Sequence, residues 1–138
     1  MTDLADFLRA RIAERRAIAE AATPGPWEGV VDHHQRGQVD ASVWADSISY
    51  YVTEKITSGG RHEADAHHIA ANNPADVLAD LDAKLAIVNR HTACGTGNGY
   101  CDDGGHGWDD LEGGGCADLA DLARPFAGHP DYQEDWAA

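Results

Sequence analysis

The side chains best suited to chemistry are His91, Cys94, Cys101 and Cys116. Three thiolates and one imidazole make a recognised tetrahedral set for structural zinc, and a closed set of that kind leaves no position for a substrate. His91-x2-Cys94 places two ligands at a helix end, Cys101 lies across a small loop, and Cys116 opens the next expected helix. The spacing is irregular and contains no CxxC pair, so two other readings stay open: three unrelated thiols, or a Cys94–Cys101 disulfide. His106 is the substitute ligand if His91 points away.

The physical need for an ion is visible in the same segment. Nine of the 15 glycines fall between Gly95 and Gly115, a density that supports neither helix nor strand without an external tie. A bound zinc contributes apparent free energies on the order of 10 to 16 kcal/mol at neutral pH, enough to organise such a loop. The acidity is concentrated there too. Residues 1–91 carry 14 acids and 9 bases, whereas residues 92–138 carry ten acids and only Arg124.

Other constellations are weaker. His62-Glu63-Ala64-Asp65-Ala66-His67-His68 superficially matches the zinc-protease pattern HExxH. His62 and His67, five residues apart, are rotated by about 140° on a helix, whereas that chemistry needs a four-residue step on one face. Asp65 and His68 can share a face as an acid/base or metal pair, though such a pair is more often a surface hydrogen bond. His33-His34 reads as polar turn filler. The aspartates Asp102, Asp103, Asp109 and Asp110 do not follow calcium-loop spacing. There is no GxSxG, phosphate loop or dinucleotide fingerprint.

The elements that must position these residues follow from periodicity. Leu4, Phe7, Leu8, Ile12 and Ile18 place one apolar stripe on a helix from about Leu4 to Ala21, capped by Thr2 or Asp3. Arg9, Arg11, Arg15 and Arg16, with Glu14 and Glu20, are expected on its solvated face. Thr23-Pro24-Gly25-Pro26 stops the helix before Trp27, the expected first large core anchor. Val30-Val31, Val39 to Trp44 and Ile48 to Ile56 read as a three-stranded antiparallel meander covered by the flanking helices. Glu63 to Ala71 favours a short helix. Asn73-Pro74 then opens the most secure helix, carrying Val77, Leu78, Leu81, Leu85 and Val88 through about His91. Cys116 to Ala123 forms a short helix, and Tyr132 with Trp136 docks a closing turn. Trp27, Trp44, Tyr50 and Tyr51 can line a groove, but aromatics at such positions usually belong to the core.

These elements predict an α+β fold in a single domain, with 1–91 a helix/meander/helix core and 92–138 an acidic, glycine-rich metal-binding loop with a closing helix. A net charge of −14 excludes a basic nucleic-acid binder. No apolar run is long enough for a membrane span, and the first ten residues have acids where a signal peptide has a basic start. The expected compartment is the cytoplasm, where cysteines are poor disulfide material.

Ala22-Thr23-Pro24-Gly25-Pro26-Trp27, Asp65-Ala66-His67-His68-Ile69-Ala70 before Asn73-Pro74-Ala75-Asp76-Val77-Leu78, and His129-Pro130-Asp131-Tyr132 with Trp136 resemble a family of small proteins of unknown function. That family is found in actinobacteria, especially streptomycetes, and their phages. Its members look similar in having a histidine after the long helix and cysteines before the penultimate short helix, matching His91, Cys94 or Cys101, and Cys116. The resemblance implies a bacterial or phage origin and no activity.

The leading functional expectation is a zinc-stabilised, non-catalytic module that binds an unidentified protein, with homodimerisation through a sheet edge as an option. An acidic DNA mimic and a small metal-dependent hydrolase on Asp65, His68 and His62 or His33 are the alternatives.

Overall fold

The computed structural model describes residues 3–56, 60–91 and 116–137. In chain order these form α1 (Leu4–Ala21), β1 (Trp27–His33), β2 (Val39–Ala45), β3 (Tyr50–Ile56), α2 (His62–Ala71), α3 (Pro74–Arg90) and α4 (Ala117–Ala123), followed by 3-10 turns at Arg124–Phe126 and Glu134–Ala137. The α+β architecture is the one the periodicity predicts. Two compact units are present, Arg16–Asp80 and Met1–Arg15 with Leu81–Ala138.

The Arg16–Asp80 unit is built on an antiparallel meander in the order β1-β2-β3. β1 pairs with β2 without a slip, from Trp27 opposite Ala45 to His33 opposite Val39. The β2–β3 ladder runs from Ala45 opposite Tyr50 to Ala41 opposite Ile56 and is interrupted by irregularities near Val43. The third strand starts at Tyr50, later than the expected Ile48. A β-branched residue favours a strand, but the Ile48 amide donates to Ala45 O and the Ser49 amide to Asp46 O, so these residues close the turn and Ile48 is exposed.

Helix α2 covers this sheet. Ala41 and Val43 of β2 meet Ala66 and Ala70 of α2 in a buried seam flanked by Trp27, Val52, Ile56 and Ile69. Trp27 is thus a half-buried flank of the core, and its indole nitrogen donates to Thr23 O at 3.0 Å. The close approach depends on Gly29: a Cβ there would lie 2.7 Å from His67 Nδ1 and 3.2 Å from the Ala66 backbone. Trp44 and Tyr51 pack edge to face at 5.0 Å, a cross-strand aromatic pair in register on β2 and β3.

Asn73 starts α3 as its sequence position requires. Its Oδ1 accepts from the Ala75 amide at 3.0 Å and the Asp76 amide at 3.3 Å, while its Nδ2 donates to Asp76 Oδ2 at 2.6 Å. Two of the helix's orphan donors are satisfied by one buried side chain.

In the other unit, the N-terminal part of α1 buries Leu4, Phe7, Leu8 and Ile12. Its start is capped by Asp3, whose Oδ1 accepts from the Ala5 amide at 3.0 Å. Phe7 sits among Phe126, His129, Tyr132 and Trp136, with ring centroids 4.9 to 6.3 Å away. This is how the closing segment docks. Two expectations for α1 are corrected. Ile18 is 73% exposed, because periodicity fixes the direction of a side chain and not whether anything covers it. Arg11 is buried rather than solvated: Glu14 Oε1 and His129 Nδ1, each 2.7 Å away, engage its two Nη atoms, while its buried Nε has no hydrogen-bond partner among the described residues.

Candidate metal centre

His91 follows the last residue of α3, where its amide donates to Ile87 O and Val88 O. The helix therefore holds the imidazole at a fixed height beside Val88, which is fully buried. Cys116 is the residue before α4, in extended backbone, and its carbonyl accepts the Ala120 amide at 3.0 Å. Asp118 lies in the first turn of that helix. Local helical hydrogen bonding thus fixes two ligand types on one short segment, and Leu119 and Ala123 bury the other side of it.

His91 Nδ1 is 3.2 Å from Cys116 Sγ, and both residues are 6% exposed. Asp118 Oδ2 is 3.6 Å from His91 Nε2, with its side chain 54% exposed. One ligand atom from each residue falls within 4.8 Å of the other two. With metal–nitrogen and metal–sulfur bonds of 2.0 to 2.3 Å, a tetrahedral zinc separates its N and S ligands by about 3.5 Å. The His91–Cys116 spacing therefore needs only a few tenths of an ångström to accept an ion. This is the one such group of histidine, cysteine and acidic residues among the described residues.

A profile of the Family of unknown function (DUF6221) matches residues 1–138. The chain belongs to that family. No curated protein and no solved structure matches it. Membership in DUF6221 bears out the resemblance to a family of unknown function and assigns no activity, so function has to be read from this geometry.

A cysteine, a histidine and an aspartate in this order also resemble a thiol nucleophile with its base and orienting acid. Burial separates the two chemistries. An electrophile must reach Sγ, which is enclosed, whereas an ion is held by the enclosing ligands themselves and can enter past the exposed Asp118 carboxylate. The three residues form a group that could hold a metal ion.

Of the four ligands expected from sequence, the structure brings His91 and Cys116 together. Cys94, Cys101 and the substitute His106 lie outside the described residues, as do Asp102, Asp103, Asp109 and Asp110. Asp118 was not among the expected ligands, although Cys116-x-Asp118 was there to be read. His62, Asp65 and His68 sit on α2 and form no group of three ligands among the described residues. His33 ends β1, and His34 pairs with Asp40 at 3.0 Å across the hairpin. No helix among the described residues is long and apolar enough to cross a membrane.

Proposed function

We propose that the chain is a zinc-organised, non-catalytic module that binds a protein partner. His91 and Cys116 hold the ion, Cys94 and Cys101 complete a closed set, and Asp118 stands beside it. The observation that carries this reading is the buried His91–Cys116 pair at 3.2 Å. Nine glycines between the two helices that present those residues supply the reason an ion is needed. The module works in a reducing bacterial or phage-infected cytoplasm, where its thiols stay available for metal.

The partner is a protein, because a chain of net charge −14 repels a phosphate backbone. A second copy of the chain paired along a sheet edge is the homodimeric form of the same idea. The DNA-mimic alternative has charge alone behind it. The hydrolase alternative has no converging group of three ligands on α2 among the described residues.

The test is metal analysis of protein purified without a metal-affinity tag, together with cobalt substitution. One zinc per chain is expected, with thiolate-to-cobalt charge-transfer absorption that weakens in Cys116→Ser as one of the three thiolates is lost. A metal-free wild-type protein that also fails to bind cobalt would overturn the reading.

A further inference from the structure

His91 meets its two neighbours through different ring nitrogens. Nδ1 faces Cys116 Sγ at 3.2 Å, and Nε2 faces Asp118 Oδ2 at 3.6 Å. One ion cannot bind both nitrogens. An ion about 2 Å from Nδ1 along its lone pair lies roughly 4 Å from Nε2, whose own lone pair leaves the other side of the ring. Bound at Nδ1 the ion has Cys116 beside it, and bound at Nε2 it has Asp118.

The thiolate decides between them. Cys116 is buried and stands next to Nδ1 at the start of α4, whereas the Asp118 side chain is 54% exposed. An ion on Nε2 would exchange an enclosed sulfur ligand, which suits zinc, for a half-solvated oxygen and would leave the buried sulfur outside its shell.

We infer that Asp118 is the orienting acid of the site and not one of its ligands. Its carboxylate accepts a hydrogen bond from Nε2–H of His91, which leaves Nδ1 unprotonated and turned to the ion beside Cys116. Metal-binding histidines commonly give their second ring nitrogen to a carboxylate, which fixes the tautomer and raises the basicity of the liganding nitrogen. A small rotation of the half-exposed Asp118 side chain brings 3.6 Å to hydrogen-bond length. Asp118 follows Cys116 by two residues in the first turn of α4, so one turn of chain presents both the ligand and the acid that aligns its partner. The inference rests on the zinc reading proposed above and assigns Asp118 its part in it.

The test uses the full chain loaded with zinc, cobalt or cadmium-113, with nitrogen-15 in the histidine rings. Cadmium coupling is expected to Nδ1 of His91, with Nε2 protonated. Asp118→Ala should bind zinc about 10- to 100-fold more weakly while the cobalt spectrum keeps its band positions, because no ligand has been lost. Asp118→Asn, whose carbonyl still accepts from Nε2–H, should lose less and keep the Nδ1 coupling. Asp121→Ala removes another carboxylate of α4, one paired with Arg124 at 2.9 Å, and should leave zinc affinity unchanged. Coupling to Nε2, unchanged affinity in Asp118→Ala, an equal loss in Asp121→Ala, or cobalt bands displaced in Asp118→Ala would each overturn the inference and leave the metal centre standing. The wild-type coupling and the asparagine variant decide the matter even if Asp118→Ala does not fold. A wild-type chain that takes up none of the three metals overturns the zinc reading itself.

Discussion

Arg11 Nη1 lies 2.7 Å from His129 Nδ1, joining residues 118 positions apart in the sequence. A guanidinium can only donate, so Nδ1 must accept, and the Asp131 amide donates to the same nitrogen at 3.1 Å. The imidazole proton therefore belongs on Nε2 in this arrangement. Nitrogen-15 spectra of the labelled imidazole should show Nδ1 as the unprotonated nitrogen of the neutral ring. A proton found on Nδ1 would contradict the contact. Arg11→Ala should destabilise by about 2 kcal/mol, mostly through lost packing of the buried stem and lost hydrogen bonds. Denaturant unfolding measures it.

Metal removal gives the second expectation. For an ion at a thousandfold excess over its dissociation constant, chelation should cost about 4 kcal/mol of apparent stability. Cys116→Ser should reproduce that loss without chelator, and added EDTA should then change nothing further. If the melting temperatures of wild type and variant coincide before and after EDTA, the ion contributes nothing to the fold.

Asn73 offers a cleaner energetic test, because one side chain carries the start of α3. Asn73→Ala should cost about 1 to 2 kcal/mol and Asn73→Ser distinctly less, since a hydroxyl can still accept from the first-turn amides. Equal losses in chemical denaturation would show that the Nδ2 donation to Asp76 Oδ2, and not the cap, matters most.

Gly29 on β1 and Gly37 in the turn between β1 and β2 should respond to alanine for different reasons. At Gly29 the added methyl meets His67 and the α2 backbone, so overpacking of about 1 to 3 kcal/mol is expected. At Gly37 there is open space but φ is +76°, and a left-handed alanine costs about 1 kcal/mol. Shortening His67 to alanine should relieve part of the first loss and none of the second, a difference that a double-mutant cycle resolves.

Periodicity was enough to place α1, α3 and the meander, because burying one face imposes a repeat that survives in residue types. It could not show that Arg11 is buried, since its long-range partners His129 and Asp131 meet it only after the closing segment docks on Phe7. The candidate site was half legible. His91 and Cys116 were marked by residue type and helix ends, whereas Asp118 looked like one more acid in an acidic tail. The β3 start was misplaced because Ile48 carries strand propensity into a turn whose backbone hydrogen bonds decide otherwise.

The seam between β2 and α2 is made of Ala41, Val43, Ala66 and Ala70, side chains with almost nothing left to remove. Its tolerance is therefore one-sided. Truncation there opens only small voids, while any added methylene pushes two backbones apart. Variation at one of these positions becomes acceptable only with a matching reduction across the seam, so the four residues should drift as a coupled set while Trp27, Val52 and Ile69 around them vary independently.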